Sequence, residues 1–174
     1  MNYHASNQTL TDIIDQLLRE QNAESRTFAV IDNGDPSTPT LRRALATHPR
    51  TRDFGSQSST VVAVLAPKTC TLGQLGRAIL SARGEELPDN PNSCAIWEQV
   101  CSNFSAHSVK LLCIELQIGT TIDAKNIVCA LKSLLFRMKR LRLVLQGASE
   151  VRDILEADDE FLRHARLLSI RGQH

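Results

Sequence analysis

Four short apolar runs, separated by segments of helical period, limit what this chain can fold into. They are TFAVI at 27–31, TVVAVLA at 60–66, VKLLCIEL at 109–116 and LRLVLQ at 141–146. Runs this short and this continuous suit strands covered on both faces rather than helices. Between them the apolar residues recur at helical spacing. Leu10, Ile13, Ile14, Leu17 and Leu18 share one face of a helix over 9–22, with Asp12, Asp15, Arg19 and Glu20 opposite. Leu41 and Leu45 point one way in a helix that ends before Pro49, and Ile96, Trp97 and Val100 do so in a helix opened by Ser93 as its cap and running through about Asn103. The spacing further predicts a helix over 71–83 stopped by Gly84 and the longest helix over 123–139. The latter has Ile127, Val128, Leu131, Leu134, Leu135 and Met138 as its apolar face. A strand at 141–146 ended by Gly147, a helix at 149–156, a turn at 158–162 and a last strand at 166–170 follow. Strand and helix alternate throughout. Parallel strands need such crossovers, so the expected architecture is α/β: a three-layer α/β/α domain around a parallel five-stranded sheet.

With 174 residues the chain is long enough for one full core, and with few aromatics Leu, Ile, Val and Ala must fill it. Residues 1–25 read as an N-terminal segment carrying the amphipathic helix, its first six residues disordered, and 26–174 as the α/β domain. The net charge of +1 gives no global pull toward nucleic acid or a membrane, so any basic surface has to be local. Five cysteines, an odd number in mostly apolar segments without C-x-x-C or zinc spacing, read as buried reduced thiols. No signal peptide and no apolar run of about 20 residues is present, which predicts a soluble cytoplasmic protein with no membrane partner.

The stretch RTFAVIDNGDPSTPTLRRALATHP, 26–49, sets a strand, a loop of turn residues and a helix start in succession, with Thr38 as N-cap and Pro39 as first helical residue. Helix starts placed this way meet phosphates through free N–H groups and the helix dipole. The phosphate chemistry is nonetheless missing. If Thr38 stands for the magnesium-binding Ser/Thr of a P-loop, Ser37 stands where lysine is needed and Pro36 where glycine is needed. No lysine occurs between Met1 and Ala66.

Three features of the second half combine with LRRALATHP. These are the strand LLCIEL ending in an acidic residue, the helix and strand LKSLLFRMKRLRLVLQGASEVRDIL, and the segment ADDEFLRHARLLSI. In this order they resemble the TniB/TnsC family of AAA+ regulators of bacterial transposition, over about 26–170. The resemblance implies a P-loop NTPase fold of AAA+ type with strand order five-one-four-three-two. The chain ends just past the fifth strand, so a C-terminal lid is not expected. It also implies an assembly setting: an active ATPase of the family, a transposase, a target selector or DNA as partner, and membership of an oligomer. Matched position by position, Glu115 takes the place of the magnesium-binding aspartate and Leu116 that of the glutamate that polarises water. Sensor 1 falls near Gln146 to Ala148. The arginine-finger position falls on His164, flanked by Arg163 and Arg166, the candidates for an intersubunit arginine.

Ser37, Thr38 and Glu115 thus outline a degenerate nucleotide site. Without the lysine and the glutamate, charge neutralisation and water activation are both lost, so the leading reading is a non-catalytic interaction protein needing no cofactor. Two alternatives stay open. One is an active regulator that still binds ATP and magnesium through Thr38 and Glu115. The other is a DNA-binding module using the one concentrated basic cluster, Lys132, Arg137, Lys139, Arg140 and Arg142. Arg42 and Arg43 read as a solvated face, and His48 and His107 as loop histidines without partners.

Overall fold

The computed structural model describes residues 10–19, 25–31, 41–51, 53–87 and 91–169. Five parallel strands form the central sheet: β1 (Thr27–Ile31), β2 (Val61–Leu65), β4 (Leu111–Glu115), β6 (Arg142–Gly147) and β7 (Ala165–Ser169). Their order is β2-β4-β6-β1-β7, the order the resemblance implied. A second pair, β3 (Thr69–Cys70) and β5 (Thr121–Ile122), adds a short parallel ladder past the ends of β2 and β4. Sequence periodicity cannot register two-residue strands.

Alternation along each strand divides the sheet between two cores. Ala29, Val62, Val64, Leu112, Ile114, Leu143 and Leu145 face one way, toward α3 (Leu72–Ala82), α4 (Ser93–Ala106), α5 (Ala124–Arg137), α6 (Ser149–Glu156) and α7 (Asp159–His164). Phe28, Val30, Val61, Leu111, Cys113 and Val144 face the other way, toward α1 (Leu10–Arg19) and α2 (Leu41–Thr47). Ile13, Ile14 and Leu17 of α1 are at most 3% exposed, so that amphipathic face covers this sheet.

Helix ends follow local chemistry. Thr71 caps α3 in a reciprocal capping box with Gln74, and Gly84, with φ of 68°, turns the chain away at its end. Asn92, not Ser93, caps α4: its side chain accepts from Ala95 N–H at 2.8 Å, and Ser93 is already helical. The predicted turn at 158–162 is a real helix, α7, capped by Asp158. Arg83 at the end of α3 is only 2% exposed. Its guanidinium donates to Asn103 Oδ1 (3.0 Å), to the Ser59 carbonyl (2.7 Å) and to the Gln57 carbonyl.

Two sequence expectations need correction. His48 is no free loop histidine. It is 6% exposed, its Nδ1 accepts from Arg50 N–H (3.2 Å), and its Nε2 lies 3.7 Å from Asp15 of α1. His107 likewise has a partner, donating from Nδ1 to the Asn103 carbonyl (3.0 Å). The cysteines are all unpaired, but only Cys70 and Cys113 are buried. Cys101 is half-buried, and Cys94 and Cys129 lie on outward helix faces. Among the described residues no helix is long and apolar enough to cross a membrane.

Candidate nucleotide-site edge and the basic cluster

In open α/β sheets ligands meet the carboxyl ends of the strands. Here that edge is formed by the ends of β1, β4 and β6, where Ile31 pairs with Gly147 and Glu115 with Gln146. The loop 32–40, with Ser37, Thr38 and the expected Thr38–Pro39 helix start, lies outside the described residues. The β4 and β6 side can be built atom by atom.

Glu115 closes β4 and is half-buried. Leu116 follows with its N–H donating to the Gln146 carbonyl (2.7 Å) and its side chain in the core, 4% exposed. The residue that the resemblance sets at the water-orienting position is thus apolar and packed. Close approach enforces this: a Cβ built at Gly147 would lie 2.8 Å from the Leu116 carbonyl oxygen and 3.2 Å from Val151 Cγ2, so only glycine leaves room.

Gln146 and Glu150 are the polar side chains beside it, and both tie loops down. Gln146 is 2% exposed, and its Oε1 accepts from Leu41 N–H at 2.7 Å, fastening the first turn of α2 to β6. Glu150 is 5% exposed. Its Oε1 accepts from Gly119 N–H at 2.7 Å, holding the turn that follows β4. That turn is closed by Thr120, which donates from N–H (3.1 Å) and Oγ1 (2.7 Å) to the Gln117 carbonyl. Sequence reasoning missed Glu150, though an acid three residues past Gly147 was its one signal. Leu116 offers no general base and Gln146 is engaged with the backbone of α2, so neither of these two side chains suits a hydrolysing magnesium-ATP centre. No group of three or more His, Cys, Asp or Glu among the described residues is placed to hold a metal ion.

A family model described as bacterial TniB protein matches residues 1–170. The chain belongs to the TniB family. No curated protein matches the sequence closely enough to serve as a relative. Solved structures similar to this TniB-family chain include Drosophila ORC bound to DNA, at 14% identity and TM-score 0.60, covering 94% of this chain and 29% of that one. The Aeropyrum pernix ORC2 protein in its ADP form is similar at 13% identity and TM-score 0.59, covering 98% and 50%. Drosophila ORC bound to AT-rich DNA and Cdc6 is similar at 15% and 0.58, covering 95% and 28%. At such identities the likeness establishes the fold, a P-loop NTPase fold of AAA+ type. The TniB-family chain spans half or less of these structures' length.

The five basic residues of the expected DNA cluster part company. Arg142 opens β6 at 8% exposed and donates to the Leu17 carbonyl at the end of α1. Lys132 is held by Asp158 (3.1 Å) and Glu160 (2.6 Å), and Arg137 by both carboxylate oxygens of Glu98 (2.9 and 2.8 Å). Lys139 and Arg140 are exposed, with Lys139 Nζ 4.3 Å from the Phe136 ring centroid. Arg163 is exposed and donates from Nε to the Asp159 carbonyl (3.2 Å); Arg166 is half-buried on the edge strand β7, opposite Phe28. Arg42 and Arg43 are exposed, as expected.

Proposed function

We propose that this TniB-family protein is a non-catalytic AAA+-fold subunit that works by contact within a DNA-transposition assembly. The observation that carries the reading is Leu116. Hydrolysis needs a carboxylate to orient water beside the γ-phosphate, and the side chain at that point, just past β4, is a buried leucine. The missing P-loop lysine acts in the same direction, removing the main charge partner of a γ-phosphate. Either loss alone would cripple turnover; together they leave the fold as a scaffold.

In such an assembly the partner is an active ATPase of the same family, a transposase or a target selector. Arg163 is the better placed of the two candidate intersubunit arginines, being exposed at the end of α7, whereas Arg166 is partly covered in β7. The test is calorimetric titration of the whole protein with magnesium-ATP and ADP, together with a phosphate-release assay. Neither heat nor a shift in melting temperature at millimolar nucleotide is expected. Saturable binding at micromolar nucleotide, lost in Thr38→Ala or Glu115→Ala, would put the active-regulator reading in its place.

A further inference from the structure

The strand starts define the opposite edge of the sheet, and there the surface opens. A cleft of about 410 Å³ lies between the first residues of β1, the end of α5 and the end of α7. Leu135, Phe136 and Phe161 give it an apolar lining, with Arg26, Lys132 and Glu160 among its polar groups. A cleft of this volume accepts a large side chain or a short peptide turn. Phe136 is 72% exposed, one of two large apolar side chains so exposed among the described residues. An exposed aromatic beside an apolar cleft marks a contact surface.

Charge says what would cover it. Lys132 bridges Glu160 at the cleft and Asp158 beside it, so this trio keeps one net negative charge. Arg26 spends its guanidinium on the last carbonyls of α5, donating to Leu135 (2.6 Å), Met138 (3.1 Å) and Lys139 (3.4 Å). Lys139 sits over the Phe136 ring, Arg140 follows it, and Arg163 lies beside the cleft residue His164. None of these three cations has a carboxylate partner among the described residues. Arg26, Lys132, Lys139, Arg140 and Arg163 outnumber Asp158, Asp159 and Glu160, so the surroundings of the apolar floor are net positive.

We infer that this cleft docks an acidic peptide segment of a partner protein, anchored by one large apolar side chain against Phe136 and Leu135 and held by Lys139, Arg140 and Arg163. A nucleic-acid backbone would use the cations but has no apolar group for the cleft. The inference deepens the interaction reading by naming a partner chemistry. It concerns the edge opposite the nucleotide side, so its failure would leave the calorimetric result untouched.

The experiment is selection of the intact protein against a random-peptide library, followed by anisotropy titration of the enriched peptides. Phe136→Ser and Lys139→Glu/Arg140→Glu serve as comparisons. Both alter exposed side chains, and unchanged melting temperatures verify that they fold. Enrichment of peptides pairing a large apolar residue with Asp or Glu is expected. Their affinity should fall about tenfold or more in each variant and weaken with added salt. The inference is overturned if no sequence is enriched over the Phe136→Ser protein, or if enriched peptides carry no acidic residues. It is equally overturned if labelled single- or double-stranded DNA binds through Lys139 and Arg140 without regard to Phe136. Concentration-dependent dimerisation abolished by Phe136→Ser would assign the cleft to a second copy instead.

Discussion

Leu116→Glu restores the carboxylate that the AAA+ resemblance places at this position, and the structure predicts what that costs. The side chain is 4% exposed and belongs to the core shared by β4, β6 and α6. Replacing a buried leucine by a neutral glutamic acid forfeits roughly 2 kcal/mol of apolar burial. The acid must also stay protonated in the folded protein at pH 7, while in the unfolded chain it ionises near its usual value of about 4.3. That gap of about 2.7 pH units, at about 1.36 kcal/mol each, adds roughly 3.7 kcal/mol. The total of about 5–6 kcal/mol rivals the whole stability of a typical domain. The sign with pH is fixed. The folded pKa is raised, so the unfolded state binds fewer protons and stability falls as pH rises above about 4.3. Leu116→Gln has nothing to ionise and serves as the reference. In urea denaturation the Glu variant should lose about 2.5 kcal/mol more than the Gln variant between pH 5 and pH 7. A Leu116→Glu protein as stable as the parent at pH 7, or one that gains ATP hydrolysis, would show that this side chain reaches an open cleft. The case for a closed site would then fail.

Other parts of the structure can be tested separately. Gly147→Ala should destabilise by about 1–3 kcal/mol in urea, since its methyl would meet the Leu116 carbonyl at 2.8 Å. Arg26→Met should cost about 1–3 kcal/mol by leaving the Leu135 and Met138 carbonyls unsatisfied, and should speed amide exchange at Met138. With a thiol reagent at neutral pH, Cys94 and Cys129 should react at once. Cys70, whose thiol burial pushes up to about 11, and Cys113, raised by the same cause, should wait for unfolding. Lys132→Met should divide its two acids in an NMR titration. Glu160, held low chiefly by Lys132, should return to the ordinary carboxylate range. Asp158, held low first by Phe161 N–H, should rise only part way. Both carboxyls are depressed in the fold, so what they contribute is present above the usual carboxylate range and lost as pH falls through it.

The fold was legible because its signal is periodic. Runs such as TVVAVLA and the 3.6-residue spacing of Ile127 to Leu135 report burial directly, and strand order followed from the family resemblance. What escaped depends on contacts between residues far apart. Arg142 read as surface charge because its run looked basic; it is buried because a β6 position pairs with the end of α1, 125 residues earlier. His48 looked idle because Asp15 is distant in sequence; Arg26 gave no sign that it would close the end of α5, nor Arg83 that it would tie down the loop before β2. The environment of the candidate site was not legible. Leu116 and Gln146 could be assigned to positions, but that one is core and the other is hydrogen-bonded to Leu41 follows only from packing.

The two edges of the sheet divide the chemistry in a way that makes the interaction reading separable from its rivals. At the carboxyl edge, the side chains of Gln146 and Glu150 are engaged with the backbone at Leu41 and Gly119, and Leu116 is packed. Polar groups used this way stabilise loops and leave little for a ligand. At the amino edge, Phe136, Lys139 and Arg140 contribute almost nothing to the core and remain exposed. Substitutions at Gln146 or Glu150 should therefore lower stability, by about 1–3 kcal/mol each, without altering partner affinity at the amino edge. Substitutions at Phe136 or Lys139 should do the reverse. An active nucleotide-dependent regulator would couple the two edges, since nucleotide bound at one would have to change affinity at the other. Independence of the two sets in a double-mutant comparison would favour a passive subunit, and coupling would favour a working ATP site.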